Sequence, residues 1–169
     1  MNIAARLLAI TVLAGVLAFT TVAPGHAASA TAGLNISLVI ASSANLSLSA
    51  TSLTFLADDP AIQPSVPASE NPVSVQAKVR TKGTPSLDVL ATDDLRSGTD
   101  VIPVSTLTWT ADGTPFIGGT MSRTTPQQAA SLPAGAGSYQ SAYRYYLANS
   151  PLYLPGTYSS TINYTLTAP

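Results

Sequence analysis

The chain has 169 residues, carries seven basic and eight acidic side chains, and is charged at only 9% of its positions. This balance excludes a nucleic-acid-binding protein, because binding to phosphates needs clustered Lys and Arg. A hydrophobic content of 46%, rich in β-branched residues, favours a packed core over disorder.

Residues 1–30 have the order of a secretory signal peptide. Arg6 precedes an apolar run at residues 7–19, and the small residues at 27–30 fit a cleavage site. The run is too short to span a bilayer, so we expect no transmembrane segment in the mature chain. We predict a signal peptide over 1–30 and a single domain over 31–169, exported to the cell surface, the periplasm or the extracellular space.

The residues that most enzymes use are missing from the predicted mature chain. The chain has no cysteine, and its single histidine, His26, lies within the predicted signal peptide. Without His and Cys the mature chain cannot form a Ser-His-Asp triad, a Cys-His pair or an ordinary zinc site. We therefore expect a protein that is not an enzyme and holds no cofactor.

Past residue 30, apolar residues recur at every second position, as in half-buried strands. The apolar residues shift from even-numbered to odd-numbered positions between Leu48 and Leu53, and we call such a shift a change of parity. It predicts a bend in the strand there, and a second change of parity lies between Val104 and Leu107. Strands are predicted, in chain order, over residues 34–40, 45–55, 73–80, 87–91, 102–109, 116–122, 139–148 and 157–167. Turn-forming residues between them predict an all-β fold, an immunoglobulin-like β-sandwich of about 7–9 short antiparallel strands, with a barrel as the alternative.

Acidic residues between the fourth and fifth predicted strands offer the best metal candidates. Asp93, Asp94 and Asp100 lie close in sequence, and Ca²⁺ is held by several hard oxygen ligands from a loop. The spacing does not match an EF-hand, and Asp is an ordinary turn residue. The favoured interpretation is a solvated hairpin end, with calcium as the alternative.

Tyrosine is concentrated in the last third of the chain. Strand alternation places Tyr143 and Tyr145 on one face, predicted to be core, and Arg144 and Tyr146 on the other. Arg144 and Tyr146 are therefore the candidates for surface contacts with a sugar or a partner chain. A glycosidase would need two carboxylates across a cleft, and no acidic residue lies within an aromatic-flanked strand.

The last predicted strand suggests a family. Tyr158 follows the turn Pro155-Gly156, as in a tyrosine corner. The segment also resembles the distal motif of WxL cell-wall-binding domains, through Tyr158, residues 162–166 and Pro169, with Tyr164 in the place of the Trp. This resemblance implies a secreted β-sandwich that binds an envelope polymer such as peptidoglycan without a covalent link.

The chain also resembles fimbrial subunits of the spore-coat-U type in size, export route and a terminal Gly-x-Tyr strand. That resemblance implies donor-strand assembly, in which an alternating N-terminal segment completes a neighbouring sandwich. The side chains suited to this role are Leu34, Ile36, Leu38 and Ile40. The alternative, which we favour from sequence, is that they form the chain's own first strand.

Together these patterns predict a secreted, non-enzymatic surface or extracellular structural protein. The expected partners are a cell-envelope polymer or other surface proteins, bound non-covalently. The alternative is a self-assembling fimbrial subunit that uses residues 34–40 as its donor strand, and a third possibility is a carbohydrate- or calcium-binding module.

Overall fold

The computed structural model describes residues 30–169, so the predicted signal peptide, except for Ala30, lies outside the described residues. By internal contacts the chain divides into two units, Met1–Leu38 and Val39–Pro169. Between residues 30 and 169 no helix is both long enough and apolar enough to cross a bilayer.

The described residues form eleven β-strands, seven of them with five residues or more. One short 3-10 turn, Val104–Thr106, is the only helical element between residues 30 and 169. The strands are β1 Ser43–Leu48, β2 Ser65–Pro67, β3 Val73–Thr81, β4 Ser86–Ala91, β5 Leu95–Ser97, β6 Asp100–Ile102, β7 Leu107–Ala111, β8 Gly119–Thr120, β9 Gln127–Ser131, β10 Gly135–Ala148 and β11 Ile162–Thr167.

Two antiparallel sheets make the body of the fold. The larger has the order β1-β3-β10-β7-β8, with β2 also pairing with β10, and the smaller has the order β11-β4-β9. Strands β5 and β6 form a separate hairpin. All of these pairs are antiparallel, so the prediction of an all-β sandwich is confirmed.

The core lies between the inner faces of the two sheets. Strand β3 alternates buried and accessible residues along its length, as its sequence predicts, and Leu87 and Val89 of β4 are fully buried. Trp109 is buried in the same cluster, and its indole nitrogen Nε1 donates a hydrogen bond to the carbonyl oxygen of Ile117 at 2.8 Å. Tyr143 and Tyr145 also face inward and are buried, as predicted.

The prediction that residues 34–40 form the chain's own first strand is wrong. These residues carry no strand, and Leu34, Ile36 and Leu38 are 87%, 88% and 79% exposed. The outer edge of β3 that a first strand would cover is paired with β1 instead, from Ser43 opposite Arg80 to Leu48 opposite Val75. The amphipathic alternation is real, but the sheet position it would need is already filled.

Both predicted changes of parity coincide with breaks in the strands. β1 ends at Leu48, and residues 53–55 continue as extended chain outside any strand, with Leu53 and Phe55 packed against the core. At the second position the 3-10 turn Val104–Thr106 separates β6 from β7, so that Val104 and Leu107 are both buried. At this second position a 3-10 turn therefore takes the place of the strand bend that the alternation of apolar residues predicts.

Candidate functional site: an apolar groove at the end of the sandwich

A groove of about 1500 Å³ opens where the two sheets separate at one end of the sandwich. Its deepest lining residues come from five elements that converge at this end of the core. They are Val73 of β3, Ile102 of β6, Val104 of the 3-10 turn, Leu107 of β7 and Tyr145 of β10, all of which are buried. We call this feature the apolar groove.

One wall of the apolar groove is the extended chain at residues 50–60. The backbone of Thr54 is held from one edge only: its N–H donates to the carboxylate oxygen Oε2 of Glu70 at 2.8 Å, and its carbonyl accepts from the N–H of Ser69 at 2.9 Å. The hydrogen bond from the Thr54 N–H stabilises the Glu70 carboxylate and lowers the pKa of Glu70. Strand geometry turns the backbone groups of Leu53 and Phe55 toward the opposite edge.

The other wall is residues 149–161, between β10 and β11. Ser159 exchanges two backbone hydrogen bonds of 3.0 Å with Arg96, so this segment is also held from one edge. The hydroxyl of Tyr158 donates to the carbonyl oxygen of Leu154 at 2.9 Å, four residues upstream, which is the contact that defines a tyrosine corner. The sequence prediction for Tyr158 is thus confirmed.

The apolar groove carries very little charge. Among its lining residues only Asp58 and Asp59 have carboxylate side chains, and neither Lys nor Arg lines it. Asn149 closes one end, where its side-chain nitrogen Nδ2 donates to the carbonyl oxygens of Asp58 at 2.8 Å and Gln63 at 3.1 Å. The site is therefore suited to an uncharged, extended, apolar chain.

The three acidic candidates for calcium are engaged in other contacts or lie apart from them. Asp93 pairs with Arg96 at 2.7 Å, and this guanidinium, followed by the N–H of Asp94, lowers the pKa of the Asp93 carboxyl. Asp94 pairs with Arg123 at 3.0 Å and accepts from the N–H of Val104. Asp100 begins β6, opposite Ser97 in the hairpin. Across residues 30–169, no group of three His, Cys, Asp or Glu side chains converges on one point.

The candidate surface contacts lie on the outer face of the larger sheet. Arg144 and Tyr146 are half-buried, and Arg144 forms an ion pair with Asp112 in the turn after β7. Neither residue lines the apolar groove. Sequence reasoning missed the apolar groove itself, although both changes of parity, near residues 50–52 and 104–107, fall at residues that line it.

No family model, no curated protein and no solved structure matches this chain. Function is therefore inferred from the geometry of the apolar groove and of the exposed residues.

Proposed function

We propose that this chain is an exported, non-enzymatic structural protein of the cell surface that assembles with copies of itself. The observation that carries the proposal is the exposure of an alternating apolar segment, residues 34–40, which we call the exposed segment. Apolar patches of this kind on a soluble chain mark interaction surfaces. Period-two alternation further indicates that the partner surface pairs with it as a strand.

Export supports the same proposal. The N-terminal pattern of Arg6, the apolar run at 7–19 and small residues at 27–30 predicts a signal peptide. A chain without cysteine needs no oxidising compartment for its fold, so its stability after export comes from burial and hydrogen bonding. A structural role at the surface requires no more than a stable sandwich and a surface that makes contacts.

Sedimentation of the purified chain tests self-assembly. We expect the native chain to form pelletable assemblies by itself, and the double substitution Ile36→Asp and Leu38→Asp to keep it soluble, because a charge cannot be buried in an apolar contact. Ile62→Asp is the matched control, since Ile62 is 83% exposed but lies outside the exposed segment. A native chain that stays soluble at high concentration would refute self-assembly.

A second candidate function is non-covalent binding to an envelope polymer such as peptidoglycan. It is favoured by Arg144 and Tyr146, which place a cation and an aromatic ring side by side on the outer face of the larger sheet. Aromatic faces stack on sugars, and a neighbouring cation adds polar contacts. In the same sedimentation assay this function predicts pelleting only when insoluble peptidoglycan is present, and weaker pelleting of Tyr146→Ala.

A further inference from the structure

We infer that a row of cations on the outer face of the larger sheet binds an acidic polysaccharide, a chain of sugars that carries carboxylate or phosphate groups. The row, which we call the basic row, consists of Lys78, Arg80 and Lys82 in the sequence KVRTK. Short runs rich in Lys and Arg are typical of surfaces that bind anionic polymers. Neither proposed function uses these residues, since self-assembly depends on residues 34–40 and the second candidate site lies further along β10.

The cations of the described chain fall into two groups. Arg96, Arg123 and Arg144 each form an ion pair with an aspartate. Between residues 30 and 169, no ion pair involves a member of the basic row. The cations without an ion-pair partner are therefore collected on one short run of sequence, where they produce a local positive potential on a chain that is otherwise poor in charge.

Strand β3 holds the basic row in a line. Its alternation buries the odd-numbered residues and leaves Lys78 and Arg80 exposed on the outer face, about 6.8 Å apart. Lys82 follows directly after the end of β3 and is exposed as well. The Nε atom of Arg80 donates to the carbonyl oxygen of Ala41 at 3.2 Å. This bond uses one N–H of a guanidinium that has several more, so the positioned group can still bind an anion.

The neighbouring strands surround the basic row with neutral side chains. Ser43 and Asn45 of β1 lie opposite the two cations of β3, and so do Ala136 and Ser138 of β10 on the other side. All four residues are exposed, and side chains directly opposite each other in a sheet lie about 5 Å apart. Hydroxyl and amide groups can therefore bond to sugar hydroxyls while the cations bind the acidic groups of the same polymer.

The polar surroundings favour a polysaccharide over a lipid bilayer. A surface that inserts into a bilayer places large apolar side chains beside its cations. The next outward positions across the sheet hold Ser47, Gln76 and Gln140, so this part of the face stays polar along the strands. A polar sheet face can lie along a linear polymer but cannot enter hydrocarbon. The exposed segment leads into Ala41 beside Arg80, and for this reason vesicles are included in the test.

The lack of an aromatic platform beside the basic row argues against a single-stranded nucleic acid. Proteins that bind such strands stack the bases on exposed aromatic rings. On the outer face of the described strands of the larger sheet, the aromatic side chain is Tyr146. It lies eight residues along β10 from Ser138, a distance of about 27 Å. A polymer without bases needs no such ring.

Binding of the full chain to immobilised polygalacturonate, measured by surface plasmon resonance, tests the inference. Its methyl ester has the same backbone without the charges and is the neutral control, and poly(glycerol phosphate) offers phosphates in place of carboxylates. We expect binding to at least one of the two charged polymers and none to the ester. The affinity should fall about tenfold between roughly 50 and 200 mM salt, because counterions are released on binding. No binding to either charged polymer, or equal binding to the ester, would overturn the inference.

Two double variants of equal net charge locate the site. Lys78→Gln/Arg80→Gln should weaken binding by about tenfold or more and reduce its salt dependence. Arg96→Gln/Arg123→Gln is the matched control, because these guanidiniums are already paired with aspartates, and it should keep the native affinity within about twofold. Equal losses would assign binding to overall charge and overturn the inference. Thermal unfolding checks that each variant is folded, and the single changes Arg80→Gln and Arg96→Gln repeat the comparison with less risk to the fold.

Vesicles and single-stranded DNA decide between classes of anionic partner. Tighter binding to vesicles that contain an anionic lipid, lost in Ile36→Asp/Leu38→Asp, would overturn the polysaccharide and assign the basic row to a lipid surface. Tighter binding to single-stranded DNA would overturn it in the same way. The sedimentation test of self-assembly uses other residues, so its outcome is independent of this one.

Discussion

The hydroxyl oxygens of Tyr145 and Tyr164 lie 2.7 Å apart and join the two sheets of the sandwich through β10 and β11. Tyr143 stands beside this pair, with its ring stacked on that of Tyr164 at a centroid distance of 6.3 Å and its hydroxyl donating to the carbonyl oxygen of Ala129. Burial raises the pKa of Tyr145 to about 12 and raises the pKa values of Tyr143 and Tyr164 as well. The three phenols are held neutral between the sheets.

The first prediction is a loss of stability at alkaline pH. A phenol whose pKa is raised in the folded state stabilises the fold fully below its unfolded pKa, about 10, and loses that contribution as pH rises toward the folded value. The free energy of unfolding should therefore fall between about pH 10 and pH 12, by on the order of 2–3 kcal/mol for Tyr145 alone. Denaturant titrations at a series of pH values measure this fall.

Tyr164→Phe separates titration from packing. The variant should lose about 1 kcal/mol at neutral pH, because the Tyr145 hydroxyl loses its partner, but its stability should fall less steeply above pH 10, because Phe cannot ionise. Thr165→Val, at the next and exposed position of β11, is the control and should keep the native pH dependence. An unchanged alkaline slope in Tyr164→Phe would show that this pair does not govern the loss.

The second prediction concerns the close contact between Gly119 and Trp109. A Cβ atom at Gly119 would lie 2.7 Å from the indole atom Cη2, and the indole is fixed by its hydrogen bond to Ile117. Gly119→Ala should therefore destabilise the fold by about 1–3 kcal/mol through overpacking. The emission of Trp109, the single tryptophan of the chain, reports the local change during denaturation of Gly119→Ala, and circular dichroism measures the stability of variants that lack this tryptophan.

Two further variants test the assignment of this cost to the indole. Gly33→Ala is the control, because a Cβ there has no atom within 4 Å. Combining Gly119→Ala with Trp109→Phe should cost less than the sum of the two single changes, since the smaller ring removes the clash. Additive costs would mean that Gly119 is required for a different reason.

The sequence was sufficient to predict the sandwich because apolar and polar residues alternate along most strands, and this alternation shows which face of each strand is buried. Val73, Val75 and Val79 of β3 are buried as their alternation predicts. Strand β9 could not be found in the same way, because Gln127–Ser131 contains only polar and small residues. Its residues Ala129 and Ala130 are nevertheless buried in the core, where β9 pairs with β4. The local sequence pattern identifies strands that contain large apolar side chains. Whether a segment of small or polar residues becomes a strand depends on its tertiary pairing.

The apolar groove lay beyond sequence reasoning for a related reason. Alternation in residues 34–40 predicts an amphipathic strand but does not say which edge it pairs with, and here the edge of β3 is taken by β1. The two walls lie outside the named strands as well, because Thr54 and Ser159 are each held by only two hydrogen bonds, to residues 69–70 and to Arg96 respectively. Contacts between distant segments form the groove, and the sequence shows only the two changes of parity among its lining residues.

The third prediction concerns Asn71, whose side-chain amide forms two hydrogen bonds with the backbone of Tyr145 in β10, as a neighbouring strand would. Its nitrogen Nδ2 donates to the carbonyl oxygen of Tyr145 at 2.8 Å, and its oxygen Oδ1 accepts from the N–H of Tyr145 at 2.9 Å. Asn71→Ala should destabilise the fold by about 1–3 kcal/mol, because the partly buried N–H of Tyr145 loses its acceptor. Faster hydrogen exchange of that amide should accompany the loss.

Asn163→Ala is the matched control for this substitution, since Asn163 is exposed on β11 and should change stability by less than about 0.5 kcal/mol. Equal effects of the two substitutions would refute the role assigned to the Asn71 side chain.

The fourth prediction compares the neighbouring carboxylates Asp93 and Asp94. Asp94 has only 16% of its side chain exposed, pairs with Arg123 and accepts from the N–H of Val104, so it ties the start of the β5–β6 hairpin to the 3-10 turn. Asp94→Ala should cost about 1–3 kcal/mol, because the Val104 N–H loses its acceptor. Asp93 and Arg96 form an ion pair in solvent, so Asp93→Ala should have a much smaller effect.

The same pair of variants tests the calcium alternative. Because arginine side chains already neutralise Asp93 and Asp94, we expect Tm to be the same in calcium and in a chelator. A calcium-dependent rise in Tm that disappears in the Asp93→Ala/Asp94→Ala double variant would contradict this expectation and restore the metal site. A rise that persists in the double variant would place calcium elsewhere on the chain and leave the structural role of Asp94 unchanged.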